Sequence, residues 1–350
     1  MPLQPTPEQP TLTERLILLF PLPFVVGCIV FGFVLVEIVP TFVAEYTETA
    51  SVIASLEYAF NLQNLLNSPF IPYLFYATHY MRLRLLKSEN TLSRLLPGGE
   101  EEFHRLFGRV SAVKPQLATW GAVSIVLLVE VNVLPILLPS VSNQPSGPKT
   151  PLGQTAFEIT SFANFLITTL VVSSLAWVYY STLKGIHRMG SAALNFPRFY
   201  RDPFLGLKPV GSLALALATA YFGLEGLFIV TGFASPPTAV DLIVVGGVLL
   251  GLVIIGILAF FLPLRKLHAC MSKQKALERA NLSDRFARIV DAEQVEQDAP
   301  EVLTVDLLDR KVSQIATWPF DFSILGKLTI ITLSVAAALL TRVLVTFLHL

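Results

Sequence analysis

Charge is scarce in this chain. Only 14% of its 350 residues are Asp, Glu, Lys or Arg, against roughly 25% in soluble globular domains. The 25 basic and 25 acidic side chains cancel, a balance that excludes a basic nucleic-acid-binding protein and a polyacidic tail. Cysteine is scarcer still. Cys28 and Cys270 are the only two, far apart and inside or beside apolar segments, so neither a disulfide framework nor a thiolate metal site can be built from them. The histidines (His79, His104, His187, His268, His349) are scattered singly, and there is no Gly-rich phosphate loop, HExxH, CxxC or GxSxG. The chain carries no enzyme signature, and no metal or cofactor is expected.

What fills the space is hydrocarbon. Apolar residues make up 53% of the chain and the mean hydropathy is +0.63, which excludes disorder. A bilayer core of about 30 Å needs about 20 mostly apolar helical residues, and windows of that length fall at 16–40, 117–139, 157–183, 210–233, 241–264 and 324–350. The stretch 51–80 is a seventh, more polar candidate, carrying Glu57, Asn61, Gln63, Asn64 and Asn67 among Phe70, Tyr73, Phe75, Tyr76 and Tyr80. The first window is too long for a signal peptide and no small-residue cleavage site follows it.

With seven alternating spans the connections form two sets, and the basic residues choose between them. One set holds Arg15 in the N-terminal segment, seven Lys or Arg in 81–116, five in 184–209 and ten from Arg265 to Lys327, so 23 of the 25; Lys149 and Arg342 belong to the other. Positive charge marks the cytoplasmic side. The expected fold is therefore an all-α polytopic membrane protein of seven transmembrane helices, N-terminus inside and C-terminus outside, the reverse of a G-protein-coupled receptor. Residues 1–264 hold spans 1–6 with short outer loops, 265–316 a cytoplasmic helical hairpin, and 317–350 an interfacial lead-in and the last helix. In the cytoplasmic segment Leu264, Leu267 and Met271, then Leu282, Phe286 and Ile289, recur at helical spacing. Leu303, Leu307, Leu308, Val312 and Ile315 continue the pattern after Pro300. Such stripes suit a helical hairpin with a solvated face, or a platform for self-association.

Embedded acids gather toward the outer side: Glu37, Glu57, Glu130, Glu158, Glu225 and Asp241. An ionisable group in a span is costly unless it meets a partner, a cavity or water. Two readings stand: Arg342 pairs with one or two acids to fix the last helix, or Glu57, Glu130, Glu158, Glu225 and Asp241 line a ligand or ion vestibule whose negative potential concentrates cations. On the last helix Thr329, Thr332, Ser334 and Thr341, with Ala336 and Ala338, replace bulkier residues, which suits close helix packing or a pore lining. Gly247 and Gly251 form GxxxG and predict close packing, and Ser161, Asn164 and Thr168 share one helical stripe. Trp318, Pro319, Phe320 and Asp321 have the chemistry of an interfacial anchor: aromatic rings for the headgroup level, Pro for a first turn and Asp for a helix N-terminus.

Seven spans with this orientation, short outer loops, a helical cytoplasmic insert and a small-residue last helix resemble the insect odorant and gustatory receptor superfamily. The resemblance lies in architecture over nearly the whole chain; where the family's last helix usually has Thr-Tyr and Gln-Phe, this one has Thr341-Arg342 and Thr346-Phe347. It implies a homotetrameric, ligand-gated cation channel in the cell membrane, with Thr329, Thr332, Thr341 and Arg342 at a central pore and the helical insert as anchor. The segment around Trp318 separately resembles uncharacterised prokaryotic multi-span proteins. The expected partners are the bilayer, further copies of the chain, a small-molecule ligand and monovalent or divalent cations, and no nucleic acid. The alternatives are a proton- or cation-coupled transporter and a non-conducting signalling or scaffold protein.

Overall fold

The computed structural model describes residues 9–61, 64–65, 68–137, 150–232, 239–291 and 299–349, and among them every regular element is a helix. Short α1 (Leu12–Leu18) begins at a capping box in which Thr11 and Glu14 satisfy each other's backbone N–H. Then come α2 (Phe24–Thr49), α3 (Val52–Ala59), α4 (Phe70–Ser93), α5 (Gly99–Phe107), α6 (Val113–Leu137), α7 (Pro151–Met189), α8 (Lys208–Gly232), α9 (Ala239–Asp291), α10 (Ala299–Ser313) and α11 (Phe322–His349). Six segments are long and apolar enough to cross a membrane: Phe24–Thr49, Gly99–Val129, Gly153–Met189, Lys208–Val230, Gly246–Arg288 and Phe322–Thr341. The chain is thus a multi-pass membrane protein. Large apolar side chains on its perimeter, such as Ile125 at 64% exposed and Ile330 at 66%, call for lipid or another protein surface rather than water.

The weaker stretch 51–80 is divided between α3 and the first half of α4, so no single apolar helix covers it. Yet α4 runs antiparallel to α8 through the bundle. Phe70 meets Phe228 edge-on at 5.1 Å, Tyr73 donates to Ala220 O at 2.9 Å, and Tyr80 and Arg84 share a cleft with Ser212. The register from Phe228 back to Ser212 corresponds to about 24 Å of helix at 1.5 Å per residue. Leu74, Phe75, Ala77, Met81 and Leu85 are buried along it. α4 crosses the bundle sheltered by its neighbours, which is why its polar residues are affordable and its hydropathy is low.

α2 contains a π-helical stretch, Ile29–Ile38, just before Pro40. Proline has no N–H for the carbonyl four residues earlier. That carbonyl, Val36 O, is approached by Asn164 Nδ2 of α7 at 3.5 Å, while Thr41 Oγ1 donates to Glu37 O at 2.7 Å. The polar stripe on α7 thus has a concrete role: Thr168 Oγ1 donates to Asn164 Oδ1 at 2.9 Å and orients the amide, although Ser161 lies exposed. Gly32 lets Pro72 of α4 approach closely, since a Cβ there would lie 2.8 Å from Pro72 N.

Among the described residues, the packing expected of Gly247 and Gly251 is not present: none lies within 4 Å of a Cβ placed on either. The close approach is one turn further on, where Gly256 receives the rings of Tyr221 and Phe222. α10 lies against the distal part of α9. Lys275 Nζ donates to Ser313 O and Ile315 O at 2.8 Å each, neutralising carbonyls at the end of α10, while Leu282, Val312 and Ile315 bury together with Leu205.

Candidate functional site

The most fully built polar site joins four parts of the chain at one end of the bundle. Glu14, on the first turn of α1, is 1% exposed. Its carboxylate accepts from His79 Nδ1 at 2.6 Å and from Arg82 Nε, 2.8 Å from Oε1 and 2.7 Å from Oε2. Thr11 adds its N–H at 2.7 Å and its hydroxyl at 3.0 Å. His79 and Arg82 lie three residues apart and so project from one face of α4. Around them, Leu12 N donates to Gln116 Oε1 at 3.1 Å, Gln116 Nε2 donates to Val110 O at 3.0 Å, and the Thr13 and Ser174 hydroxyls meet at 3.2 Å. Phe24 stacks on the His79 ring at 3.8 Å.

Burial alone would push the Glu14 carboxyl up. The His79 hydrogen bond, the Arg82 charge and the Thr11 N–H outweigh it and hold the group below its ordinary value of 4.5. The arrangement fixes α1 to α4, α6 and α7 and orients an ionised carboxylate. Sequence reasoning passed over it, and the available signal was a capping box whose acid could also reach another helix.

Of the acids predicted to line a vestibule, the side chains of Glu57, Glu158 and Glu225 are described. Glu57 and Glu158 are exposed, and the latter accepts from Gln154 Nε2 at 3.1 Å. Glu225 is 3% exposed, and neither of its carboxylate oxygens has a hydrogen-bond partner among the described residues. The side chains of Glu130, Asp241 and Arg342 lie outside the described residues, and with them the predicted Arg342 pairing. Glu48 instead has a structural task at the same end. Thr150 N and Oγ1 donate to its Oε1 at 3.1 and 3.0 Å, which places a carboxylate at the N-terminus of α7 where the helix dipole favours it.

On α11, Ile324, Leu328, Val335 and Leu339 form the buried stripe, and the outward face is Ile330, Leu333, Leu340 and Leu344. Thr329 borders that face on one side, and Ser334 and Thr341 on the other; all three are exposed while Thr332 is half-buried. Each hydroxyl donates to the carbonyl four residues earlier: Thr329 to Leu325 at 3.0 Å, Thr332 to Leu328 at 2.9 Å, and Ser334 to Ile330 and Thr341 to Ala337 at 2.8 Å. Such back-bonding lets a hydroxyl face an apolar medium.

Residues Trp318, Pro319, Phe320 and Asp321 anchor α11 to protein. The Trp318 indole stacks on His268 of α9 at 4.2 Å and meets Phe261 edge-on at 5.9 Å. His268 Nδ1 donates to Thr317 O at 2.7 Å. Phe320 packs 5.6 Å from Phe260, and Pro319 O sits directly over Gly211 of α8. Asp321 caps α11 through Ile324 N at 2.9 Å and pairs with Lys208 at 2.8 Å. The Lys208 hydrogen bond, with Ile324 N, holds its carboxyl below the usual value.

No group of three or more metal-ligating side chains occurs among the described residues. No protein-family model, curated protein or solved structure matches the chain.

Proposed function

We propose that this chain self-associates in the membrane through α11 and works as a chemoreceptor-like, ligand-gated cation channel. The observation that carries the reading is the unpartnered outer face of α11, where apolar Leu333 and Leu340 alternate with Ser334 and Thr341 along a helix whose opposite face is packed. Rings of that kind around a shared axis give hydroxyl steps between apolar constrictions. Leu277, Phe286, Leu303 and Leu307 supply a second argument. They are 49%, 45%, 60% and 54% exposed on the distal part of α9 and on α10, beyond the apolar run that fits a bilayer, and association would bury them. The antiparallel run of α4 supports seven crossings, and an odd number of crossings puts the termini on opposite sides; the N-inside, C-outside orientation, a cytoplasmic helical hairpin at 265–316 and a place in the cell membrane belong to the same proposal.

The test begins with the mass of the protein in lipid nanodiscs, followed by currents from the purified protein in planar bilayers challenged with candidate ligands. A tetramer with ligand-dependent cation current is the expected result. A monomer refutes association through α11, and a tetramer silent under every ligand refutes conduction.

A second reading is favoured by a different observation. The buried Glu225 carboxyl, with both oxygens unpartnered among the described residues, is the group a proton- or cation-coupled carrier needs. Dye-monitored proton flux in proteoliposomes would then depend on Glu225 and vanish in Glu225→Gln, and equal flux in that variant refutes the carrier reading.

A further inference from the structure

Between α4, α8 and α11, at the end of the bundle where Lys208 meets Asp321, lies a cleft of about 330 Å³. That volume falls within the roughly 300–1,000 Å³ usual for small-molecule sites. Its polar lining is cationic and hydroxylic: Arg84 from α4, Lys327 from α11, the Tyr80 phenol and Ser212 from α8, without a carboxylate among the lining residues. Neither cation is ion-paired among the described residues, since the carboxylates nearby are engaged elsewhere. Asp321 holds Lys208, Glu89 faces His104 at 3.5 Å and Glu14 holds Arg82. The Arg84 guanidinium rests 5.1 Å from the centre of the Tyr80 ring, a contact that positions the fork without using its hydrogen-bond donors. The remaining wall is apolar, with Leu215 half-buried and Ile330 exposed at the perimeter.

Two uncompensated cations from two helices, a free hydroxyl and a phenol facing one half-open cavity are the donor set for a phosphate group. We infer that this cleft binds a phosphate-bearing anion. The source that fits is an anionic phospholipid, because Ile330 at the edge of the cleft is 66% exposed and carries its apolar wall on to the perimeter of α11, where an acyl chain can lie beside the headgroup. Since Lys327 rides on α11 and Arg84 on α4, a bound headgroup would also brace the last helix against the bundle. This inference does not rest on conduction.

The test compares purified protein in nanodiscs of phosphatidylcholine alone and of phosphatidylcholine mixed with phosphatidylglycerol, reading lipid retention by native mass spectrometry and thermal stability by tryptophan fluorescence. A third arm adds soluble glycerol phosphate to the phosphatidylcholine discs. Wild-type protein is expected to retain phosphatidylglycerol selectively and to melt higher in its presence. Each cation near a bilayer surface is worth about fivefold in anion affinity. The Lys327→Gln variant, which removes an exposed side chain, should therefore lose about fivefold, and Arg84→Gln with Lys327→Gln on the order of twentyfold or more. Arg84→Lys with Lys327→Arg should keep most of the affinity. A shift from glycerol phosphate that matches the phosphatidylglycerol shift, and disappears in the same variants, supports the phosphate site and assigns it to a soluble ligand. Retention of phosphatidylglycerol that is equal in wild type and in Lys327→Gln, or no selectivity over phosphatidylcholine in the wild type, overturns the proposal.

Discussion

Replacing Glu14 by Gln keeps the shape of the side chain and removes the charge at the centre of the Glu14, His79 and Arg82 cluster. The carboxylate is 1% exposed and Arg82 8%, so water cannot take over the lost contacts. Gln keeps one acceptor oxygen but turns an NH2 toward donors that the second carboxylate oxygen now serves: the Thr11 N–H at 2.7 Å and the Arg82 Nε at 2.7 Å. Breaking a buried ion pair from one side costs about 3–5 kcal/mol. The expected loss is about 3 kcal/mol, the lower end, because one acceptor survives; that is on the order of a hundredfold in the folded-to-unfolded ratio. Tryptophan fluorescence during thermal unfolding in nanodiscs can follow it. Trp120 donates to Thr169 and Trp177 to Arg109 O, each at 2.9 Å, on the stretch of α7 that carries Ser174.

Two companion measurements guard the reasoning. Adding Arg82→Met to Glu14→Gln removes both charges of the pair and should recover more than half of the loss, as replacement of a buried pair by apolar groups usually does. The pH profile follows from the sign of the shift. The folded carboxyl titrates below the ordinary 4.5, so its contribution is complete above that value and is lost as pH falls through the depressed one. The wild type should show this acid limb and Glu14→Gln should not. Unchanged stability in Glu14→Gln, or a double variant as unstable as the sum of the singles, would show that the cluster does not hold α1 in place.

Glu225→Gln should change thermal stability by less than about 1 kcal/mol, or raise it, because no described group pairs with the carboxylate and a neutral amide is cheaper to bury; a loss of several kcal/mol in the same melt would reveal a partner. Gly211→Ala should cost about 1–3 kcal/mol, since its Cβ would strike Pro319 O and Phe320. Gly247→Ala, whose Cβ would meet no described residue within 4 Å, should instead gain up to about 1 kcal/mol from helix propensity. Asp321→Ala should lower the melting temperature more than Lys208→Ala, because the first removes both the cap on α11 and the ion pair while the second removes only the pair.

The long apolar windows were legible in the sequence because a bilayer reads them one helix at a time. A run such as 241–264 needs no partner to be recognised as lipid-compatible, and the six long apolar helices follow from runs of that kind. What the sequence could not rank was its acids. Glu57, Glu158 and Glu225 look alike as letters, yet two are exposed and one is buried without a hydrogen-bond partner among the described residues, because burial belongs to the face a neighbouring helix covers. α4 fell below the hydropathy of a clear span for the same reason: its neighbours, not lipid, cover most of it. The Glu14 site was the least legible. Its contacts join residues 65 and 68 positions apart, and the Thr13 to Ser174 hydroxyl contact at its margin spans 161. No local spacing announces such pairs. Composition and runs of hydrocarbon determined that this chain lives in a membrane. Only the packing of helices against one another decided which few polar groups are held in its interior, since a hydrogen bond depends on ångström distances that sequence separation does not encode.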